Sequence, residues 1–159
     1  ITIEAIQAAL KKCNFFNVYN KKNELQSQGT FDLDDNQESC DLFYPFIEHC
    51  FKYIRENCLE EWNKGDKEDG MLTINRGIHG VIRVIDDIVN MLVEKEMINP
   101  KTQEVEDMFG LISYYLKPLT TYISVLEAEQ RKEIKKVFGG GRRYSFLACI
   151  SESNCGGKT

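Results

Sequence analysis

Apolar residues recur along this chain at steps of three and four, a period that predicts helices, with polar or glycine-bearing stretches between them. Thr2 can cap a first helix whose apolar stripe is Ile3, Ile6, Leu10 and Cys13. Residues 14–38 lose the period and are rich in Asn, Lys, Gln and Asp. Phe15, Phe16, Val18, Phe31 and Leu33 need burial there without helical spacing. The segment is therefore expected to be a loop-rich insertion holding one short extended pair.

The second helix is the clearest element. Leu42, Phe43, Phe46, Ile47, Cys50, Phe51, Ile54, Cys58 and Trp62 form a wide stripe that needs a substantial core opposite it. Ser39 or Asp41 can cap it. Pro45 then falls in or near the first turn, where a missing N–H costs little, and Gly65 ends the pattern. A third helix starts after Leu72, with Thr73 or Asn75 as cap, and Asn99–Pro100 closes it. Its buried side is Ile74, Ile78, Val81, Ile82, Ile85, Ile88, Val89 and Leu92.

A fourth helix follows Lys101, with Val105, Met108, Phe109, Ile112, Tyr115 and Leu116 inward, and Pro118 should kink or break it. Ser124 and Glu127 have capping-box spacing for another helix, and Gly139 is placed to cap its C-terminus. Residues 144–150 form a last short helix, and the polar tail 151–159 should fray. The fold class is all-α: an irregular bundle of five to seven helices making one domain over residues 1–150, with the loop-rich insertion near its N-terminus.

Composition narrows the class further. A chain of 159 residues can bury a core without disulfides or metal. No apolar run approaches the ~20 residues that span a bilayer, so no membrane role is expected. The chain opens on Ile1 with no signal-peptide pattern and reads as a piece of a larger protein. Six cysteines (Cys13, Cys40, Cys50, Cys58, Cys149 and Cys155) show no framework spacing, so reduced thiols and a cytoplasmic location are expected. The net charge of −5 gives no support to bulk nucleic-acid binding but leaves room for a local basic patch.

Two segments break the ordinary pattern of a helical domain. In Asn75–Arg83 (NRGIHGVIR), Gly77 and Gly80 sit in the first turns of a helix, where each costs about 1 kcal/mol relative to Ala. Small residues there could admit an anion to the helix N-terminus, with Arg76 and Arg83 supplying charge. Equally, they could permit close packing, with the arginines paired to Asp86, Asp87 or a Glu. In FGGGRRY, Gly139, Gly140 and Gly141 could form a nest of N–H groups, and Arg142 and Arg143 add forked donors for phosphate or carboxylate. Arg131, Lys132, Lys135 and Lys136 make the helix before it basic, although Glu127, Glu129 and Glu133 dilute it. A solvated charged connection is the competing reading.

Other constellations are weaker. Cys50 and Cys58 lie two turns apart, but no paired Cys or His motif accompanies them, so core packing is preferred to zinc. Asp86 and Asp87 point about 100° apart on a helix and suit arginine partners better than a shared site. Gly157-Lys158-Thr159 lacks the earlier glycine of a phosphate loop, since Glu152 stands there. With two histidines, His49 and His79, and no nucleophile motif, the chain reads as non-enzymatic, without cofactor or metal.

Trp62 ending a helix, then DGMLTINRGIHGVIRVIDDIV, then a helix running into FGGGRRYSFL, together resemble the helical C-terminal portion of DGQHR-domain proteins. That group includes the DndB-like proteins of bacterial DNA phosphorothioation systems. The resemblance covers Phe43 to Ile150 and implies a helical region following a ParB-like domain that bears the DGQHR signature. Here Asp69-Gly70 is followed by Met71-Leu72, so no signature residue carries over. The resemblance implies an accessory or regulatory module of a DNA-associated bacterial defence or modification protein. Arg76, Arg83, Arg142 and Arg143 would then contact DNA backbone or a partner. The alternative is a protein–protein scaffold or oligomerisation domain, marked by an exposed apolar patch around Phe15, Phe16 and Tyr19.

Overall fold

The computed structural model describes residues 1–137, and for Lys136 and Val137 the backbone alone. The FGGGRRY segment, the cap at Gly139, the helix at 144–150 and the tail lie outside the described residues. Among those described, the chain is an irregular all-α bundle of six helices with one two-stranded hairpin. The helices are α1 (Ile3–Leu10), α2 (Asn36–Asn57), α3 (Leu59–Lys64), α4 (Asn75–Glu94), α5 (Val105–Val125) and α6 (Ala128–Val137). The hairpin strands are β1 (Val18–Tyr19) and β2 (Leu25–Ser27).

α4 is the centre. Ile78, Val81, Ile82, Val84, Ile85, Ile88, Val89 and Leu92 are all buried, which covers most of its circumference, as expected for a helix enclosed by others. α1 packs on one side of it and α5 on another, while α5 also lies along α2 and touches α3. Met108, Ile112, Leu116, Leu119 and Ile123 of α5 are fully enclosed and join the two helix layers into one core.

The insertion contributes to that core instead of looping over it. Thr30 N–H donates to the Asn14 carbonyl and Phe31 N–H to that of Phe15. This pairing drives Phe15 and Phe31 inward together, against Phe43 and Phe46 of α2, with ring centroids 4.7–5.9 Å apart. Asn17 ties the neck: its N–H and Nδ2 both donate to Asp32, and its Oδ1 accepts from Gly29 N–H. Gly29 is required there, because a Cβ would stand 2.3 Å from the backbone carbon of Phe16. Asn23 at φ 62° turns the hairpin, which Asn20 Oδ1 closes by accepting from Lys22 and Glu24.

Several expected boundaries move. Asp35 caps α2, accepting from Gln37 and Glu38, so the helix starts earlier than Ser39 or Asp41 would allow. Pro45 consequently lies inside α2, not in its first turn. Ser39 instead accepts from Leu33 N–H and donates to the Asp35 carbonyl. The apolar stripe ending at Trp62 is two helices, broken at Cys58 (φ −133°, ψ 40°).

α4 starts without a side-chain cap. Thr73 donates to the Trp62 carbonyl, and Asn75 Oδ1 accepts from Thr2 N–H. Its end comes at Glu94, ahead of Asn99–Pro100, where Met97 N–H reaches the Leu92 carbonyl and Glu96 adopts φ 57°. Pro118 does not break α5, whose residues on both sides of it, Leu116 and Leu119, are locked in the core. Ser124 lies within α5 and donates to Thr121. Before α6, Gln130 Oε1 reaches back to Glu127 N–H.

Candidate functional site

The Gly77 question resolves into packing. A Cβ on Gly77 would stand 1.9 Å from the Met71 carbonyl oxygen and 2.4 Å from that of Leu72. The loop before α4 thus folds back over the helix's first turn, and the close neighbour is that loop, not another helix. The void left among Met71, Leu72, Gly77, Gly80, Leu119 and Ile123 is about 10 Å3, at the lower limit for one water. Among the described residues, the loop carbonyls of Met71 and Leu72 fill the space an anion would need beside Gly77.

The arginines divide. Arg76 and Arg83 are both exposed and seven residues apart, so they share one face of α4 about 10 Å apart along its axis. Arg83 donates to the Lys12 carbonyl at 3.1 Å, closing the end of α1 with a cation where the helix dipole favours one. Arg76 makes no side-chain hydrogen bond or ion pair among the described residues. Neither pairs with Asp86 or Asp87 in a salt bridge, contrary to the packing expectation. Asp86 is buried at 4% exposure, accepts from Asn14 N–H at 2.8 Å, and burial raises its carboxyl above the ordinary range. Gly139, Gly140, Gly141, Arg142 and Arg143 lie outside the described residues.

Three cations of α6, Arg131, Lys132 and Lys135, are engaged internally. Arg131 Nε stands 3.0 Å from Glu61 Oε2, and its Nη1 3.9 Å from Asp69. Lys132 pairs with Glu68 and Glu129, and Lys135 donates to the carbonyls of Lys67 and Glu68. Glu68 and Asp69 of the acidic 65–70 turn thus meet Lys132 and Arg131 of the helix. Glu61 itself is 2% exposed, and its Oε1 accepts from Met71 N–H at 2.8 Å. One buried carboxylate therefore holds the loop that covers Gly77 and, with Lys64 at 3.6 Å, anchors α6. The sequence reading missed it. The available signal was a Glu three residues after Cys58 and seven after Ile54, on the apolar stripe.

Three of the four described cysteines are core thiols. Cys13, Cys50 and Cys58 are buried and free, and Cys40 is free and exposed. Burial pushes the Cys13 thiol up to about 12 and Cys58 to about 11, with Asp86 and Glu61 adding to the respective effects. His49 Nδ1 lies 2.7 Å from the Pro45 carbonyl, and its ring packs on Phe109. Among the described residues no cluster of His, Cys, Asp or Glu is arranged to hold a metal, and no helix is long and apolar enough to cross a membrane.

The feature that stands out is α1. Its expected stripe is only half buried: Ile3 is 72% exposed and Ile6 37%, whereas Leu10 packs against the core and Cys13 is buried, together with Ala9 and, in part, Ala5. Ala9 is buried where the helix lies on α4. The expected patch of Phe15, Phe16 and Tyr19 also changes. Phe15 is in the core, Phe16 is half-buried against Phe43, and only Tyr19 is open, at 53%. Tyr19 and Val18 of β1 face α1 across an open groove of about 510 Å3, floored by Leu10 and Phe16 and edged by Gln7 and Lys11. An apolar surface exists, but α1 and β1 build it.

Comparison with protein-family models, with curated protein sequences and with solved structures gives no match.

Proposed function

We propose that this chain is a non-enzymatic interaction module that docks a protein partner along α1 and the hairpin. The observation that carries the reading is the orientation of α1. A helix that buries Ala9 and part of Ala5 and leaves Ile3 and, less fully, Ile6 open to solvent presents apolar area that a partner would cover favourably, at about 25 cal/mol per Å2. The groove between α1 and β1, lined by Leu10, Phe16, Val18 and Tyr19 among others, adds apolar surface on the later turns of the same helix. The test is selection from a random displayed-peptide library on the chain and on an Ile3→Ser/Ile6→Ser variant. Ile3 is 72% exposed, so Ile3→Ser alone should keep the unfolding midpoint, and it serves as the control for Ile6, which is only 37% exposed. Peptides enriched on the parent and lost on the variant support the reading; peptides indifferent to the change contradict it.

A second reading, contact with DNA backbone as an accessory helical region of a DNA-associated bacterial protein, draws on the shared exposed face of Arg76 and Arg83 and on the resemblance of residues 43–150 to DGQHR-domain proteins. It is narrower than the sequence suggests, because Arg83 already holds the Lys12 carbonyl and Arg131 and Lys132 of α6 are paired with acids. Binding of short duplex DNA that falls steeply with salt, and falls again in Arg76→Ala/Arg83→Ala, would favour it.

A further inference from the structure

The last described helix is joined to the bundle chiefly by charge. α6 has ten residues, and of its described apolar side chains only Ile134 packs against the core. Among the described residues no helix lies along α6 as α5 lies along α2. Its other attachments to the body are ionic or polar: Arg131 to Glu61 and Asp69, Lys132 to Glu68, and Lys135 to the carbonyls of Lys67 and Glu68. The shortest of these, Arg131 Nε to Glu61 Oε2 at 3.0 Å, is not aligned as a hydrogen bond, and neither atom makes one elsewhere. The pair therefore lacks the geometry that makes a forked Arg–carboxylate contact strong.

From these attachments we propose that α6 is an ionic strap, which opens and unwinds as a unit while α1–α5 stay folded. A helix of this length does not persist once detached, since isolated helices below about 12–15 residues are marginal in water. Opening bares the Glu61 carboxylate, 2% exposed in the closed form, and frees Arg131, Lys132 and Lys135. Glu61 then retains Lys64, 3.6 Å away, and Lys64 retains Asp69 at 2.9 Å. Hydration of the bared carboxylate offsets part of the lost attraction, because a buried ion pair has given up its water to form. Screening by salt weakens such a strap, whereas the apolar packing of α4 against α5 does not depend on charge. The device is separate from the α1–β1 face and stands whether or not a partner docks there.

Native-state hydrogen exchange of the full chain, read residue by residue by NMR, tests this. The amides of Arg131–Lys135 should exchange as one group, with protection at least about tenfold below that of Ile85 and Ile112. Their exchange should respond less to urea, because opening α6 exposes less surface than unfolding the bundle. Glu68→Gln and Lys132→Gln, each removing one exposed pair, should lower α6 protection by about two- to fivefold. Raising NaCl from about 0.1 to 1 M, which shortens the screening length from ~10 to ~3 Å, should lower it similarly, while the core amides change less. Amides of α6 that share the protection and urea response of the core would overturn the proposal, since α6 would then open only with the whole bundle. Amides with no protection at all would overturn the closed form. Ile134→Ser lowering α6 protection, with salt, Glu68→Gln and Lys132→Gln all without effect, would assign the hold to apolar packing and overturn the ionic strap.

Discussion

Arg131 Nε lies 3.0 Å from Oε2 of Glu61, a carboxylate 2% exposed that also holds the Met71 amide. This contact makes α6 part of the bundle and keeps the 65–74 loop folded over α4. Removing Arg131 leaves the buried carboxylate with only Lys64, at 3.6 Å, as its charged partner. Arg131→Ala is expected to cost about 2–3 kcal/mol, since a broken buried pair costs ~3–5 kcal/mol and the lysine compensates in part. Glu61→Gln keeps an oxygen for Met71 N–H and should cost less. Urea unfolding of the single and double variants checks this, with a double-mutant cycle reporting a coupling above about 1 kcal/mol.

Gly77 and Gly110 make a contrasting pair. A Cβ at Gly77 would meet two loop carbonyls, whereas at Gly110 it would meet nothing within 4 Å. Gly77→Ala should therefore destabilise by about 2–3 kcal/mol through forced movement of the loop backbone. Gly110→Ala, on the exposed side of α5, should stabilise by about 1 kcal/mol. Thermal or urea unfolding separates the two by sign.

Glu96 ends α4 in the left-handed region at φ 57°, a position that favours glycine. Glu96→Gly is expected to raise stability by about 1 kcal/mol, the strain that an L side chain carries there. A drop in the unfolding midpoint would show that the side chain contributes more than its backbone costs.

The Asp86 carboxyl is raised above its ordinary value of 3.8, chiefly by burial. The folded state then holds that proton more tightly than the unfolded chain does. Its contribution to stability is largest below the ordinary value and declines as pH rises through the raised one. Asp86→Asn keeps the acceptor for Asn14 N–H. The variant should show a flatter stability profile over that window, measured by urea unfolding across pH; an unchanged profile would assign the slope to other groups.

Much of the fold is legible in the sequence because its cause is periodic. The stripes of α2 and α4 and the first half of α5 name most of their buried residues directly, whereas Leu119 and Ile123, beyond Pro118, are not named, and Thr2 caps α1 as its position suggests. What is not legible depends on neighbours. The stripe of α1 is as regular as the others, yet only its Leu10 and Cys13 end faces the core, while Ile3 and Ile6 stay exposed and Ala9 is buried where α1 lies on α4. Pro45 reads as a first-turn residue only if Asp35 is overlooked as a cap. The basic run at 131–135 reads as a polyanion surface until the acidic 65–70 turn is found against it. In each case composition identifies the residue, and a partner distant in sequence decides its role.

The most direct test of the central claim, that α1 and β1 form the docking face, is methyl NMR of the chain titrated with the tightest selected peptide. Resonances of Ile3, Ile6, Leu10 and Val18 should shift together and saturate with a single affinity, while the core methyls of Ile85 and Ile112 stay in place. Shifts centred on other residues, with those four unmoved, would contradict it.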